Sequence, residues 1–214
     1  MKKTGSIGTD RMKGRKGMRR FMTILLLITV ITGLLVFPSM AEEFDQDSFL
    51  SILTDGKTNW NFTNDPVDES DLRTILEAGV NTASAINEQP WVITVVTNPE
   101  IIAQLADTPS SAKAPVMILV SVTSSNEMKI LDAGLATQSM QIAARALGYA
   151  TKIETTAART VRNDRSGQWA EKLGIPADKA CRAALFIGHA DEEADAVSSA
   201  SVRNDFDSVV TFVD

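Results

Sequence analysis

The chain has 214 residues, 44% of them hydrophobic and 22% charged, and a formal net charge of −6; that is enough apolar material for one packed domain and too much for a disordered chain. A single cysteine, Cys181, excludes an intramolecular disulfide, and a single histidine, His189, excludes a histidine-rich metal centre. After residue 41 the chain holds 13 of its 21 basic and 26 of its 27 acidic residues, a net charge of −13, so nucleic acid and anionic membranes are poor partners for that part.

The first 41 residues read as an address. Lys2 to Arg20 is basic, residues 21–37 (FMTILLLITVITGLLVF) carry no charge, Pro38 breaks any helix, and Ser39-Met40-Ala41 puts small residues where an export peptidase reads. This is the layout of a secretory signal peptide, cleaved after Ala41. An uncharged run of 17 residues also sits at the short edge of a membrane span, so an uncleaved N-terminal anchor is the alternative. Either way residues 42–214 are expected outside the cytoplasm, periplasmic or extracellular, as one domain.

Along that domain, residues 44–53 place Phe44, Phe49, Ile52 and Leu53 near one helical face, ended by Asp55-Gly56. Pro66 followed by Asp68, Glu69 and Asp71 opens a second helix, with Leu72, Ile75, Leu76 and Val80 at helical spacing. Residues 91–97 (WVITVVT) are short and β-branched, hence a strand. Residues 99–106 read as a short helix, 107–113 as a turn-rich link, and 115–122 as a buried strand. Residues 128–147 form the longest helical pattern, closed by Gly148. A third strand follows at 150–154, then a short helix over 168–173 closed by Gly174, and a strand over 183–187 ending at Gly188. Residues 191–195 read as an acidic, solvated loop, and 208–213 as a terminal strand. Several connections are too short for βαβ crossovers and no GxGxxG or P-loop is present, so the fold class is α+β, a mixed sheet flanked by helices.

Three segments carry candidate chemistry. Residues 83–91, running Ala83-Ser84-Ala85-Ile86-Asn87-Glu88-Gln89-Pro90-Trp91, are dense in groups that both donate and accept hydrogen bonds. That suits a flat heterocycle such as a flavin or a nucleobase, and it equally suits a capped turn in which Ser84 or Asn87 satisfies its own backbone. Residues 132–148 have the small side chains of a closely packed helix, central or at a dimer interface. Residues 55–63 place Lys57 and Thr58 where they could meet a phosphate, or form a surface turn. A serine paired with His189 would suit a hydrolase, but no G-x-S-x-G elbow accompanies them.

In combination these segments resemble the FMN-dependent nitroreductase family. The family pattern runs R-(R/H)-S-x-(R/K)-x-F, then P-S-x-x-N-x-Q-P-W into a strand, an A-P strand, D-x-G-x-A-x-Q-x-M-x-L-A-A-x-x-L-G, and an L-G-(I/L)-P…I-G close. The counterparts here are Phe62-Thr63, Ser84 through Trp91, Ala114-Pro115, Asp132-Ala133-Gly134 through Leu147-Gly148, Leu173-Gly174-Ile175-Pro176 and Ile187-Gly188. The resemblance implies a largely antiparallel sheet and a homodimer with an exchanged C-terminal segment and two FMN sites at the subunit interface. It implies electrons passed from a nicotinamide donor, NAD(P)H, through non-covalent FMN to a small nitro, quinone or related aromatic acceptor. Carried over by position, Ser84 and Asn87 contact the isoalloxazine or ribityl group with Gln89 close by, Glu154 and Thr155 lie in the segment whose backbone N–H faces flavin N5, and Lys57, Thr58 and Arg203 meet the phosphate.

The chain also departs from that pattern. Gly56 stands at the leading Arg position, Trp60 at the later Arg or Lys position, Ala83 where proline is usual and Thr155 where glycine is usual. Two readings follow: an exported FMN oxidoreductase, or a non-catalytic flavin- or ligand-binding module whose phosphate clamp has decayed. Export removes the chain from nicotinamide donors, so the first reading calls for a membrane electron donor.

Overall fold

Three helices start on a side chain that supplies a missing backbone acceptor. Asp68 accepts the N–H of Ser70 to open α2 (Glu69–Val80), Asn98 accepts those of Glu100 and Ile101 to open α3 (Pro99–Leu105), and Asn126 accepts that of Met128 to open α4 (Glu127–Ala146). Pro99 occupies the first turn of α3, where its missing N–H costs nothing. Helix α4 ends in a left-handed glycine, Gly148 at φ 87°, and the Tyr149 N–H returns to the Ala144 carbonyl at 2.9 Å. The structure is a computed structural model that describes residues 45–55, 58–123, 126–195 and 204–213. The expected signal peptide or anchor at 1–41, together with Gly56, Lys57 and Arg203, lies outside the described residues.

Residues 46–214 form one unit. After α1 (Gln46–Thr54) and α2 comes a short 3-10 turn (Ala85–Asn87), then β1 (Val92–Val96), α3, β2 (Val116–Thr123), α4, β3 (Ala150–Glu154), α5 (Thr156–Asn163), α6 (Gln168–Lys172), β4 (Lys179–Gly188), α7 (Glu192–Asp195) and α8 (Phe206–Val209). The four strands lie in the order β1-β2-β4-β3, and every described pairing is antiparallel. The α+β expectation is met.

The sheet separates two apolar layers. On one face Met117, Leu119, Ala184 and Phe186 pack against Ile102 and Leu105 of α3 and Ala157, Ala158 and Val161 of α5. On the other, Ile118, Val120, Leu185 and Ile187 pack against Ile75 of α2 and Ala133, Met140 and Ala144 of α4. Strand β2 is buried along nearly its whole length, which explains its unbroken apolar run, since both of its faces are covered. Gly79 brings α2 and α4 together, because a Cβ there would lie 2.6 Å from Met140 Cγ.

Four elements differ from expectation. Helix α5 was not foreseen: its buried stripe is Ala157, Ala158 and Val161, so its eight residues hold one large apolar side chain. Strand β4 begins at Lys179 rather than 183, continuing past an irregularity opposite Val120 and Ser121. The acidic residues 192–195 make one helical turn, with Glu192, Glu193 and Ala194 exposed. The terminal strand expected over 208–213 is not formed: 206–209 make a helical turn and 210–213 pair with no strand. Its β-branched composition favours a strand, but the outer edge of β3 is already covered. Asn59 donates its N–H to the Thr151 carbonyl at 3.0 Å and accepts the Thr151 N–H at 3.1 Å.

Candidate functional site

The loop before β1 is held in an uncommon conformation. Ile86, Asn87 and Gln89 have φ of 50°, 57° and 49°, a region that costs a non-glycine residue about 1–3 kcal/mol and is worst for a β-branched one. Ile86 is also 95% exposed. Several groups hold this shape. The Ser84 hydroxyl accepts the Gln89 N–H at 2.9 Å, the Gln89 amide donates to Asn87 Oδ1 at 3.3 Å, and Lys179 Nζ donates to the Pro90 carbonyl at 3.1 Å. The capped-turn alternative is thus realised at Ser84, while Asn87 and Gln89 remain on the surface.

A second set gathers at β3. Thr58 precedes Asn59, which docks on the strand's outer edge; Glu154 ends the strand and Thr155 follows it at the start of α5. Asn87 and Gln89 lie with the loop that leads into β1, the opposite edge of the sheet, three strand spacings or about 14 Å across. The faces differ too. Ala85 and Glu88 bond to α4, whereas Lys152 and Glu154 alternate with Ile153, whose side chain packs in the α2–α4 layer. One subunit therefore holds two separate groups of predicted residues, Ser84, Asn87 and Gln89 in one and Thr58, Glu154 and Thr155 in the other.

A feature that the sequence did not reveal is the charge cluster under β3. Lys152 is only 3% exposed; its Nζ donates to Asp107 Oδ1 and to Ser111 Oγ, both at 2.8 Å, and lies 3.0 Å from Glu154 Oε2. The Trp60 ring covers it, with Nζ 4.6 Å from the ring centroid. Trp60, at the position where the resemblance implies an Arg or Lys, shields a cation that comes from β3. Burial, then the neighbouring Asp107 carboxyl, pushes Glu154 up to about 7 despite the opposing lysine. Asp107 moves the other way: burial opposes it, but its bonds to Glu154 and Lys152 hold it below the usual carboxylate range.

The sign of the resulting pH dependence follows. A carboxyl raised from 4.5 to about 7 in the folded state binds its proton more tightly there than in the unfolded chain. Its contribution is complete below the ordinary value and is lost as pH rises through the folded one. Acidification from about pH 8 to about pH 5 is expected to add on the order of 2 kcal/mol to unfolding free energy at this site. Urea midpoints across that range check it, and Glu154→Gln should flatten the slope; an equal slope in both proteins would contradict the assignment.

The remaining candidates take structural roles. His189 Nε2 lies 3.2 Å from the Pro66 carbonyl and its ring packs on Tyr149 with centroids 5.2 Å apart, so its described partners include no serine. Cys181 is buried, which pushes its thiol up to about 11, as suits a structural cysteine. No helix among the described residues is long and apolar enough to cross a membrane.

Residues 57–113, which span Thr58, the Ser84–Gln89 loop and β1, match the nitroreductase family model. Over that stretch the chain is similar to the nitroreductase family. Solved nitroreductases share the fold. One with bound FMN from Bacteroides fragilis superposes with a TM-score of 0.66 at 19% identity, covering 78% of this chain and 98% of that one. Another with bound FMN, from Desulfitobacterium hafniense, gives 0.66 at 20% identity over 78% and 98%. An FMN-dependent nitroreductase from Clostridium difficile gives 0.61 at 22% over 77% and 99%. No curated protein matches the sequence.

Proposed function

We propose that this chain is an exported FMN-dependent oxidoreductase, acting as a homodimer on a small nitro, quinone or related aromatic acceptor. The observation that carries this reading is the strained loop at 84–89, kept in a shape that leaves the Asn87 and Gln89 amides exposed within the segment that matches the family. Backbone strain of this kind is retained where a surface must be held ready for a ligand.

The described residues fit a flavin. Asn87 and Gln89 offer mixed donors and acceptors to the edge of a heterocycle. Thr155 opens α5 without a side-chain cap, which leaves its first-turn N–H groups as donors toward an electron-rich atom. Trp60, half exposed at the edge of β3, offers an apolar surface. Lys57 and Arg203 complete the phosphate end in this reading. FMN, when bound, supplies the two-electron chemistry, and this chain's part is to hold the ring, exclude water and shape the acceptor's approach.

The placement of the two groups supports a dimer. Loop and β3 lie at opposite edges of one sheet, so two subunits are needed to bring them to one ligand. Candidate surface is plentiful: Phe49, Leu50 and Leu53 on α1, Met128, Leu131 and Leu135 on α4, and Phe206, Val209, Phe212 and Val213 at the C-terminus are all exposed. Uncovered apolar area of that extent calls for a partner, and a C-terminal segment exchanged between subunits would cover much of it. The basic segment and apolar run before Ala41 support export, and export favours a membrane redox partner over NAD(P)H as donor.

The purified protein is expected to be yellow and to hold one FMN per subunit. Asn87→Ala should weaken FMN binding about tenfold, the worth of one hydrogen bond of about 1.4 kcal/mol, without unfolding the chain. A colourless protein that ignores added FMN would overturn the reading and favour the non-catalytic module. Trp60 supplies that alternative with its observation, since the ring replaces a cation that would favour an anionic reduced flavin.

A further inference from the structure

Asp132 is a buried carboxylate with too few partners. It sits near the start of α4, 2% exposed. Its Oδ1 accepts the Ala85 N–H at 3.1 Å, and Oδ2 is buried with no hydrogen-bond partner. A carboxylate placed this way is poorly compensated for its desolvation, and an apolar side chain would serve the core better. The one bond it makes leads into the strained loop. Ala85 begins the 3-10 turn, and Ile86, Asn87 and Gln89, all left-handed, follow it.

One turn earlier on the same helix, Lys129 Nζ pairs with Glu88 Oε1 at 2.6 Å. Residues 129 and 132 share a helical face, so α4 grips the loop at both ends of its strained stretch. The two grips are unequal. The Lys129 pair joins long side chains, one of them well exposed, and such pairs contribute little. The Asp132 bond is charge-assisted, shielded from water and made to the backbone itself.

We propose that Asp132 is a positioning residue. Its carboxylate pins the Ala85 N–H, and this keeps Ile86, Asn87 and Gln89 in the left-handed conformation that presents Asn87 and Gln89 to the cofactor. It acts through the loop and touches no ligand. The inference rests on the flavin reading of that loop.

A positioning role and a packing role predict opposite things for Asp132→Ala. A packing residue lowers stability when truncated. An under-paired carboxylate leaves the melting temperature unchanged or raises it, while its loop loosens. Three measurements on the full chain separate them: amide hydrogen exchange over residues 85–89, FMN titration and thermal melting. For Asp132→Ala the expected results are at least about tenfold faster exchange in the loop, FMN binding weaker by about tenfold or more, and no loss of melting temperature. Asp132→Asn keeps an oxygen for the Ala85 N–H, so exchange and affinity should stay within about threefold of the parent. Unchanged loop exchange in Asp132→Ala overturns the proposal, and so does a loosened loop with unchanged FMN affinity. If the parent chain itself ignores FMN, the flavin reading has failed separately, and the exchange data alone then decide whether Asp132 holds the loop.

Discussion

Lys152→Met is expected to destabilise the fold by about 3–5 kcal/mol, the usual consequence of stripping one partner from a buried ion pair. The lysine is enclosed by Asp107, Ser111, Glu154 and the Trp60 ring. Without it two carboxyls face each other under β3 with no counter-charge. Methionine fills most of the volume, so the loss is electrostatic rather than a cavity. Two controls follow from the geometry. Adding Glu154→Gln should recover most of the loss, because Asp107 is partly exposed and water can solvate it. Lowering the pH should also recover part, because Glu154 then takes up a proton. Chemical denaturation of the parent, both single variants and the double variant reads all three, and a single-variant loss below about 1 kcal/mol would show that the cluster is solvated after all.

The second large effect lies at the C-terminal end of β4. A Cβ on Gly188 would lie 2.6 Å from Pro115 Cδ and 3.3 Å from a Phe62 ring atom. A proline ring cannot swing aside, and Phe62 is fully buried. Gly188→Val is therefore expected to cost about 3 kcal/mol or more, at the upper end of overpacking. Its damage should spread. Phe62 pairs with Ala190, and Thr63 donates its N–H to the His189 carbonyl at 2.9 Å, so displacing Phe62 unseats the strip that also carries Thr58 and Trp60. Faster amide exchange at Asn59 and Thr63 than elsewhere would show this; a uniform change across the sheet would contradict it.

The chain's local signals were readable because their physics is local. Asn98-Pro99, the acids after Asp68 and the glycine at 148 each act within a turn of backbone, and each marks an element boundary as expected. The loop at 83–91 was found for the same reason, since its chemistry is written in consecutive residues. The charge cluster was not. In the stretch Ala150-Thr151-Lys152-Ile153-Glu154, alternation sends Ile153 inward and Lys152 and Glu154 toward solvent. They are buried because Asp107, Ser111 and Trp60, all distant in sequence, close over that face. Asp132 stood out only as the first residue of a motif; its bond to Ala85, 47 residues away, was not legible. Helix α5 escaped because alanine does the burying. The failed terminal strand had the right composition, but Asn59 already bonds to the outer edge of β3.

In the proposed dimer, the order β1-β2-β4-β3 has a genetic meaning. In a dimer whose every ligand site draws the 84–89 loop from one subunit and the end of β3 from the other, damage to the two parts is not equivalent to damage to one. A chain crippled at Asn87 and a chain crippled at Thr155 would each be inactive alone. Mixed at equal amounts after dissociation, they would form dimers in which one site carries both lesions and the other carries neither. About a quarter of all sites should then be whole, and two dead proteins would recover function by exchanging halves.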